Sequence, residues 1–156
     1  MKTKTKQTVF AVAFPLAIGA LSALLTRSGF REFESLNKPP LTPPGWLFPV
    51  VWTLLYILMG TASLLVFRSG KPGESIRSAL YIYLLQLGVN FLWPIIFFSL
   101  EMYLFAFFWL VLLWFLVLAN LTNFYSLCRS AGLLLVPYLI WVSFAGYLNL
   151  GVYLLN

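Results

Sequence analysis

The residues with the most chemical character in this chain are aromatic rings set in register with amides. Phe48, Trp52 and Tyr56 recur at i, i+4 and i+8, so on a helix they share one face. Gln86, Asn90 and Trp93 share a second face, with Pro94 directly after. Trp141, Ala145 and Asn149 share a third, below Pro137. Aromatic faces can stack on a large, flat, apolar ligand, and a few amides can orient it. The same amides would serve equally as glue between helices, because polar groups in lipid face the interior and pair there. On the residues alone both readings stand. Ala145, small and between Trp141 and Asn149, would leave space for a pocket.

Other chemistries are closed. The chain has no histidine and one cysteine, Cys128, which excludes a histidine-ligated zinc or haem site and an intrachain disulfide. Cys128 reads as a small packing residue. No Ser–His or paired-carboxylate constellation supports hydrolysis. We expect no metal site and no required cofactor. Arg27, Arg31 or Lys38, at the mouth of a pocket, could meet acidic groups on a ligand.

These faces must be held by elements, and the charge pattern says which. The ten basic and four acidic residues all fall outside five long uncharged stretches. An apolar run of roughly 18 or more residues spans the hydrocarbon core as a helix, and a helix satisfies its own backbone groups where lipid cannot. With 62% apolar residues and a mean hydropathy of +0.92, the chain is expected to be an all-α membrane protein. It reads as a single five-transmembrane-helix bundle over 1–156, with spans at about 8–26, 45–67, 78–100, 102–128 and 130–155. That leaves no room for a soluble catalytic domain, a nucleotide fold or a DNA reader. The net charge of +6 sits beside span ends, where anionic lipid headgroups and topology explain it better than nucleic acid. The basic start before an apolar run resembles a signal peptide, but the run is long enough to read as an uncleaved first helix.

Five spans place the N-terminus on the side of the second and fourth connections. That side holds Lys2, Lys4, Lys6, Arg68, Lys71, Arg77 and Arg129, against Arg27, Arg31 and Lys38 opposite. The bias predicts an N-terminus inside and a C-terminus outside. Three connections are short. The first, about 27–44, mixes charge and aromatics with Pro39, Pro40, Pro43 and Pro44, so it is expected to be stiff and extended, and to act as a lid. Trp46, at a span start, suits an interfacial anchor. No internal repeat supports an inverted-repeat transporter. No charge within a span supports proton coupling, voltage sensing or conduction through carboxylate rings.

Three blocks then become recognisable. The first runs from Leu36-Asn37-Lys38-Pro39-Pro40-Leu41-Thr42-Pro43-Pro44-Gly45-Trp46 through Phe48-Pro49-Val50-Val51-Trp52 and Tyr56 to Met59-Gly60. The second is Gln86-Leu87 with Asn90, Trp93-Pro94 and Phe97-Phe98. The third is Pro137-Tyr138-Leu139-Ile140-Trp141, then Phe144-Ala145 and Leu148-Asn149. In this order, over nearly the whole chain, they resemble the translocator protein family, whose bacterial members are called tryptophan-rich sensory proteins and whose animal members are called peripheral-type benzodiazepine receptors.

The resemblance implies a bacterial-type, multi-pass protein of the cell membrane, commonly a homodimer. It implies a pocket under the first loop for porphyrins, haem and isoquinoline carboxamides, with cholesterol added in animal members. The family's pocket positions correspond here to Trp52, Asn90, Trp141 and Ala145. Around them we expect Phe33, Pro43, Trp46, Phe48, Tyr56, Trp93 and Asn149 to contribute. Trp52 and Trp141 match tryptophans implicated in light- and oxygen-dependent porphyrin breakdown by some bacterial members, a catalytic role that needs no metal. Two positions depart from the pattern. Where the family often has Trp-Tyr-Asp, this chain has Glu32-Phe33-Glu34, so Phe33 keeps the ring and loses the hydroxyl. After Tyr153 come Leu154, Leu155 and Asn156, with no basic residue to complete the sterol motif proposed in animal members. The leading expectation is a membrane binder of tetrapyrroles acting in sensing, disposal or transport. A porphyrin-degrading enzyme is second and a passive transporter of apolar ligands third.

Overall fold

The computed structural model describes all residues from Met1 to Asn156. Seven α-helices follow one another: α1 (Lys2–Leu25), α2 (Arg27–Phe33), α3 (Leu47–Phe67), α4 (Gly73–Pro94), α5 (Tyr103–Leu127), α6 (Arg129–Leu134) and α7 (Val136–Leu155). Together they supply five segments long and apolar enough to cross a membrane. Three are single helices: α1, α3 and α5. The third segment, Gly73–Ser99, is α4 continued by a π-helical turn over Ile95–Ser99, and the fifth, Arg129–Leu155, is α6 and α7 joined at Leu135.

Each break has a cause in the sequence. Pro94 closes α4, and past it the chain widens, with Leu100 N–H donating to Ile95 O, five residues back, at 3.0 Å. Glu101 then takes a left-handed φ of 53° to turn the chain into α5. Cys128 alone, in an extended conformation, separates α5 from α6. Pro137 lies in the first turn of α7, where its missing N–H costs no hydrogen bond.

The five segments pack in a ring. α1 lies against α3, α3 against α6, α6 and α7 against α5, α5 against α4, and α4 back against α1. Small residues set the closest approach. A Cβ on Gly60 would stand 2.4 Å from the Ala11 carbonyl oxygen, so α1 and α3 touch backbone to backbone there. Met59, Leu110, Leu113, Val117, Phe124, Tyr138 and Val142 fill the centre and are almost wholly buried. Two polar side chains in that centre have no partner: Asn120 through both amide atoms and Tyr83 through its hydroxyl.

The first connection differs from the expectation of an extended lid over 27–44. Its first third is helical. After Thr26, whose hydroxyl donates to Ser22 O at 2.9 Å, the chain bends and α2 begins at Arg27. α2 lies on the π turn, and Gly29 permits it, because a Cβ there would meet the Phe98 carbonyl oxygen at 2.1 Å. Only the remainder is extended. It crosses the end of α7 as a strap: the Tyr147 hydroxyl donates to Pro40 O at 2.7 Å, and the Asn156 amide both donates to and accepts from the backbone of Asn37, at 2.8 and 3.1 Å. The buried Pro39 ring packs on Gly151, whose added Cβ would come within 2.5 Å of it.

Candidate functional site

α3 packs on α6 and makes little contact with α7, which leaves a gap between them. A cavity of about 320 Å³ fills the gap, bounded by α1, α3, α4 with its π turn, and α7, and roofed by α2. The size suits a small-molecule pocket.

The walls are aromatic and mutually braced. The Phe48 ring meets Trp141 edge-on at 6.0 Å, closing the space between α3 and α7. Trp52 lies tilted over Tyr56 at 5.7 Å and edge-on to Tyr138 at 6.2 Å. Trp93 stacks on Phe97 at 5.3 Å, and Phe33 from α2 packs against Phe97 and Phe98 at 5.7 and 5.4 Å. The Lys38 ammonium stands 5.2 Å from the Phe33 ring centroid, a cation–π contact that ties the strap to α2.

The floor is a hydrogen-bonded chain. Tyr56 Oη donates to Asn90 Oδ1 at 3.4 Å, Asn90 Nδ2 to Tyr138 Oη at 2.7 Å, and Tyr138 Oη to Gln86 Oε1 at 2.7 Å. Gln86 Nε2 ends on Met59 Sδ at 3.7 Å. A second chain crosses the side wall: Trp93 Nε1 donates to Asn149 Oδ1 at 3.1 Å, and Asn149 Nδ2 to Tyr103 O at 2.8 Å. The amides are therefore both glue and lining. Asn90 and Asn149 hold helices together and also border the cavity, whereas Gln86 is interior only. Trp141 Nε1 is buried in the wall without a partner.

At the outer end, the carboxyl of Glu101 lies by that of Glu32 on α2. Their shared hydrogen bond, then mutual repulsion, raises the Glu101 pKa above the usual carboxylate value. Arg27 lines the cavity mouth and is exposed.

The sequence has known relatives. The family model described as the TspO/MBR family matches residues 11–155. The chain belongs to the TspO/MBR family. It is 38% identical to the tryptophan-rich protein TspO of Chlorobaculum tepidum over 142 residues, 90% of each chain. It is 40% identical to protein CrtK of Rhodobacter capsulatus over 151 residues, 96% of this chain and 93% of that one. To the translocator protein of Bos taurus it is 36% identical over 133 residues, 84% of this chain and 79% of the other.

Within this TspO/MBR bundle, nine of the sequence-derived positions border one cavity: Phe33, Phe48, Trp52, Tyr56, Asn90, Trp93, Trp141, Ala145 and Asn149. Two do not. Trp46 precedes α3 and is 68% exposed, pointing away from the bundle as an interfacial ring would. Pro43 belongs to the strap, and no residue of 34–44 lines the cavity. The roof is α2, not the proline run. Sequence reasoning missed Phe30, Phe98 and Gly19. Phe30 sits one turn before Phe33 on a helix that was not expected. Phe98 lies in the π turn and lines the cavity from there. Gly19 leaves room for the Tyr56 ring, which a Cβ would strike at 2.2 Å.

Proposed function

We propose that this protein binds porphyrin- or haem-type tetrapyrroles and other large apolar ligands, isoquinoline carboxamides among them, in the cavity under α2. One observation carries the reading: three indoles and several phenyl rings surround a single cavity that has amides at only a few points. Flat aromatic walls stack on a conjugated ring, and Arg27 at the mouth suits an acidic substituent. The role is sensing, disposal or transport of that ligand, in keeping with relatives named tryptophan-rich sensory protein and translocator protein. The protein would act as a homodimer in a bacterial cell membrane, with its N-terminus inside and lipid as its surroundings. The test is a protoporphyrin titration followed by tryptophan fluorescence. Saturable quenching that an isoquinoline carboxamide competes away supports the reading, and unsaturable quenching that Ala145→Thr leaves unchanged would sink it.

A second reading is light- and oxygen-dependent porphyrin degradation with Trp52 and Trp141 as the reacting residues. It is favoured by the proximity of both indoles to one ligand space. An indole beside a photoexcited ring can lose an electron, with dioxygen as the terminal oxidant, and no metal is needed.

A further inference from the structure

The roof helix carries opposite charges at its two ends, on the side that faces the cavity. Arg27 opens α2 and Glu34 caps it. With Phe30 they stand at i, i+3 and i+7, one face of a helix. Arg27 and Phe30 both line the cavity, so that face is the underside of the roof. Seven steps of helix separate the Cα atoms of Arg27 and Glu34 by about 10 Å along the axis. Glu34 itself stops short of the lining and stands behind Gly45, which belongs to it. A Cβ on Gly45 would lie 3.4 Å from Glu34 Oε1 and 3.5 Å from the tip of the Phe30 ring.

Helix stability does not account for this placement. A cation at the start of a helix and an anion at its end both oppose the helix dipole. The other cations near the roof do not line the cavity. Lys38 Nζ donates to Glu34 O at 2.7 Å and to Leu36 O at 3.4 Å, and covers the Phe33 ring. Arg31 is exposed and is not part of the lining. The rim therefore offers a ligand one positive edge, at Arg27, and one negative edge, where Glu34 backs Gly45.

We infer that α2 reads the acidic groups of the ligand: Arg27 takes one, and Glu34 disfavours a second at the opposite edge, so that the site selects a monoacid over the corresponding diacid. The inference rests on reading the cavity as a site for large apolar ligands. Apolar walls accept such ligands alike, so the choice among them falls to the charged rim. Glu34 acts without touching the ligand, because a charge is felt over the Debye length of ~8 Å at physiological ionic strength.

The test compares protoporphyrin, a dicarboxylic acid, with its monomethyl and dimethyl esters, in nanodiscs of neutral phosphatidylcholine. Each affinity, from tryptophan fluorescence, is taken as the ratio of variant to wild type, so that partition into lipid cancels. Glu34→Gln should tighten the diacid about threefold, the effect of a single exposed charge pair, and leave both esters unchanged. Glu34→Asp, which keeps the charge, should behave as wild type. Arg27→Gln should weaken the diacid and the monoester and spare the dimethyl ester. The gain from Glu34→Gln should vanish at about 1 M salt, where the Debye length is about 3 Å. The inference is overturned if Glu34→Gln leaves the diacid unchanged, or tightens the dimethyl ester equally, as a packing effect would. It is overturned as well if Arg27→Gln weakens all three forms alike. Porphyrins that fail to bind in any form would sink the proposed ligand alone. The charge rule is then decided in the same variants with pyrenebutyric acid and a pyrene dicarboxylic acid, and it falls too if neither of these binds.

Discussion

At the scale of single residues, the cavity separates groups that shape it from groups that could react in it. Ala145 is 6% exposed and borders the cavity, as Trp141 does. Ala145→Thr adds a branched side chain to a packed wall, where overfilling costs about 1–3 kcal/mol. We expect protoporphyrin affinity to fall by a corresponding factor, measured by fluorescence titration. Trp52→Phe and Trp141→Phe keep flat apolar walls but remove the easily oxidised indole. If those rings react, each change should slow the light-driven loss of porphyrin absorbance far more than it weakens binding, the pattern of a group that acts in the reaction. A double mutant as fast as the wild type would leave the two indoles as walls only. Tyr138 is different in kind. Its hydroxyl links Asn90 to Gln86, so Tyr138→Phe leaves Asn90 Nδ2 and Gln86 Oε1 without their partners. Interhelical hydrogen bonds in membranes average ~0.6 kcal/mol and reach about 1.7. We expect a modest fall in thermal midpoint in detergent, with affinity for ligand changed less than by Ala145→Thr.

At the scale of elements, α2 decides how the site is closed. It lies on the π turn through Gly29 and Phe33, and Glu32 meets Glu101 beside it. A carboxyl whose pKa is raised in the folded state favours that state when protonated, so its contribution is present at acidic pH and lost as pH rises through the folded value. Docking of α2 should therefore be tighter in acid than at neutrality, and Glu101→Gln should hold it docked at both. Hydrogen exchange of the α2 amides would report this, and equal pH dependence in wild type and variant would refute it. The long helices were legible in the sequence because lipid enforces them: an uncharged run of that length has no other way to satisfy its backbone. α2 was not, because it has seven residues, contains a glycine, and is stabilised by the surface of another segment rather than by its own pattern. The π turn was hidden for a similar reason. Pro94 marks a break, but its form depends on what packs around it. Hence Trp52, Asn90 and Trp141 could be placed from spacing and resemblance, while Phe30 and Phe98 could not.

At the scale of the whole molecule, the charge bias predicts an orientation that single thiols added at each end would test. Impermeant reagent should reach the N-terminal thiol from the inner side only and the C-terminal thiol from the outer side only. Labelling of both from one side would contradict the five-span arrangement with opposed ends. The ring order of the segments was not legible, since one apolar helix surface resembles another and the contacts are set by where small residues allow approach. The unpartnered Asn120 and Tyr83 in the centre have a consequence for anyone preparing this protein. An unmet polar group in an apolar interior carries a penalty of about 1–3 kcal/mol that an apolar residue of like shape avoids. Neither residue lines the cavity. Asn120→Leu and Tyr83→Phe are therefore the two substitutions we would make first to lengthen shelf life in detergent, with a higher aggregation temperature and unchanged ligand affinity as the expected result.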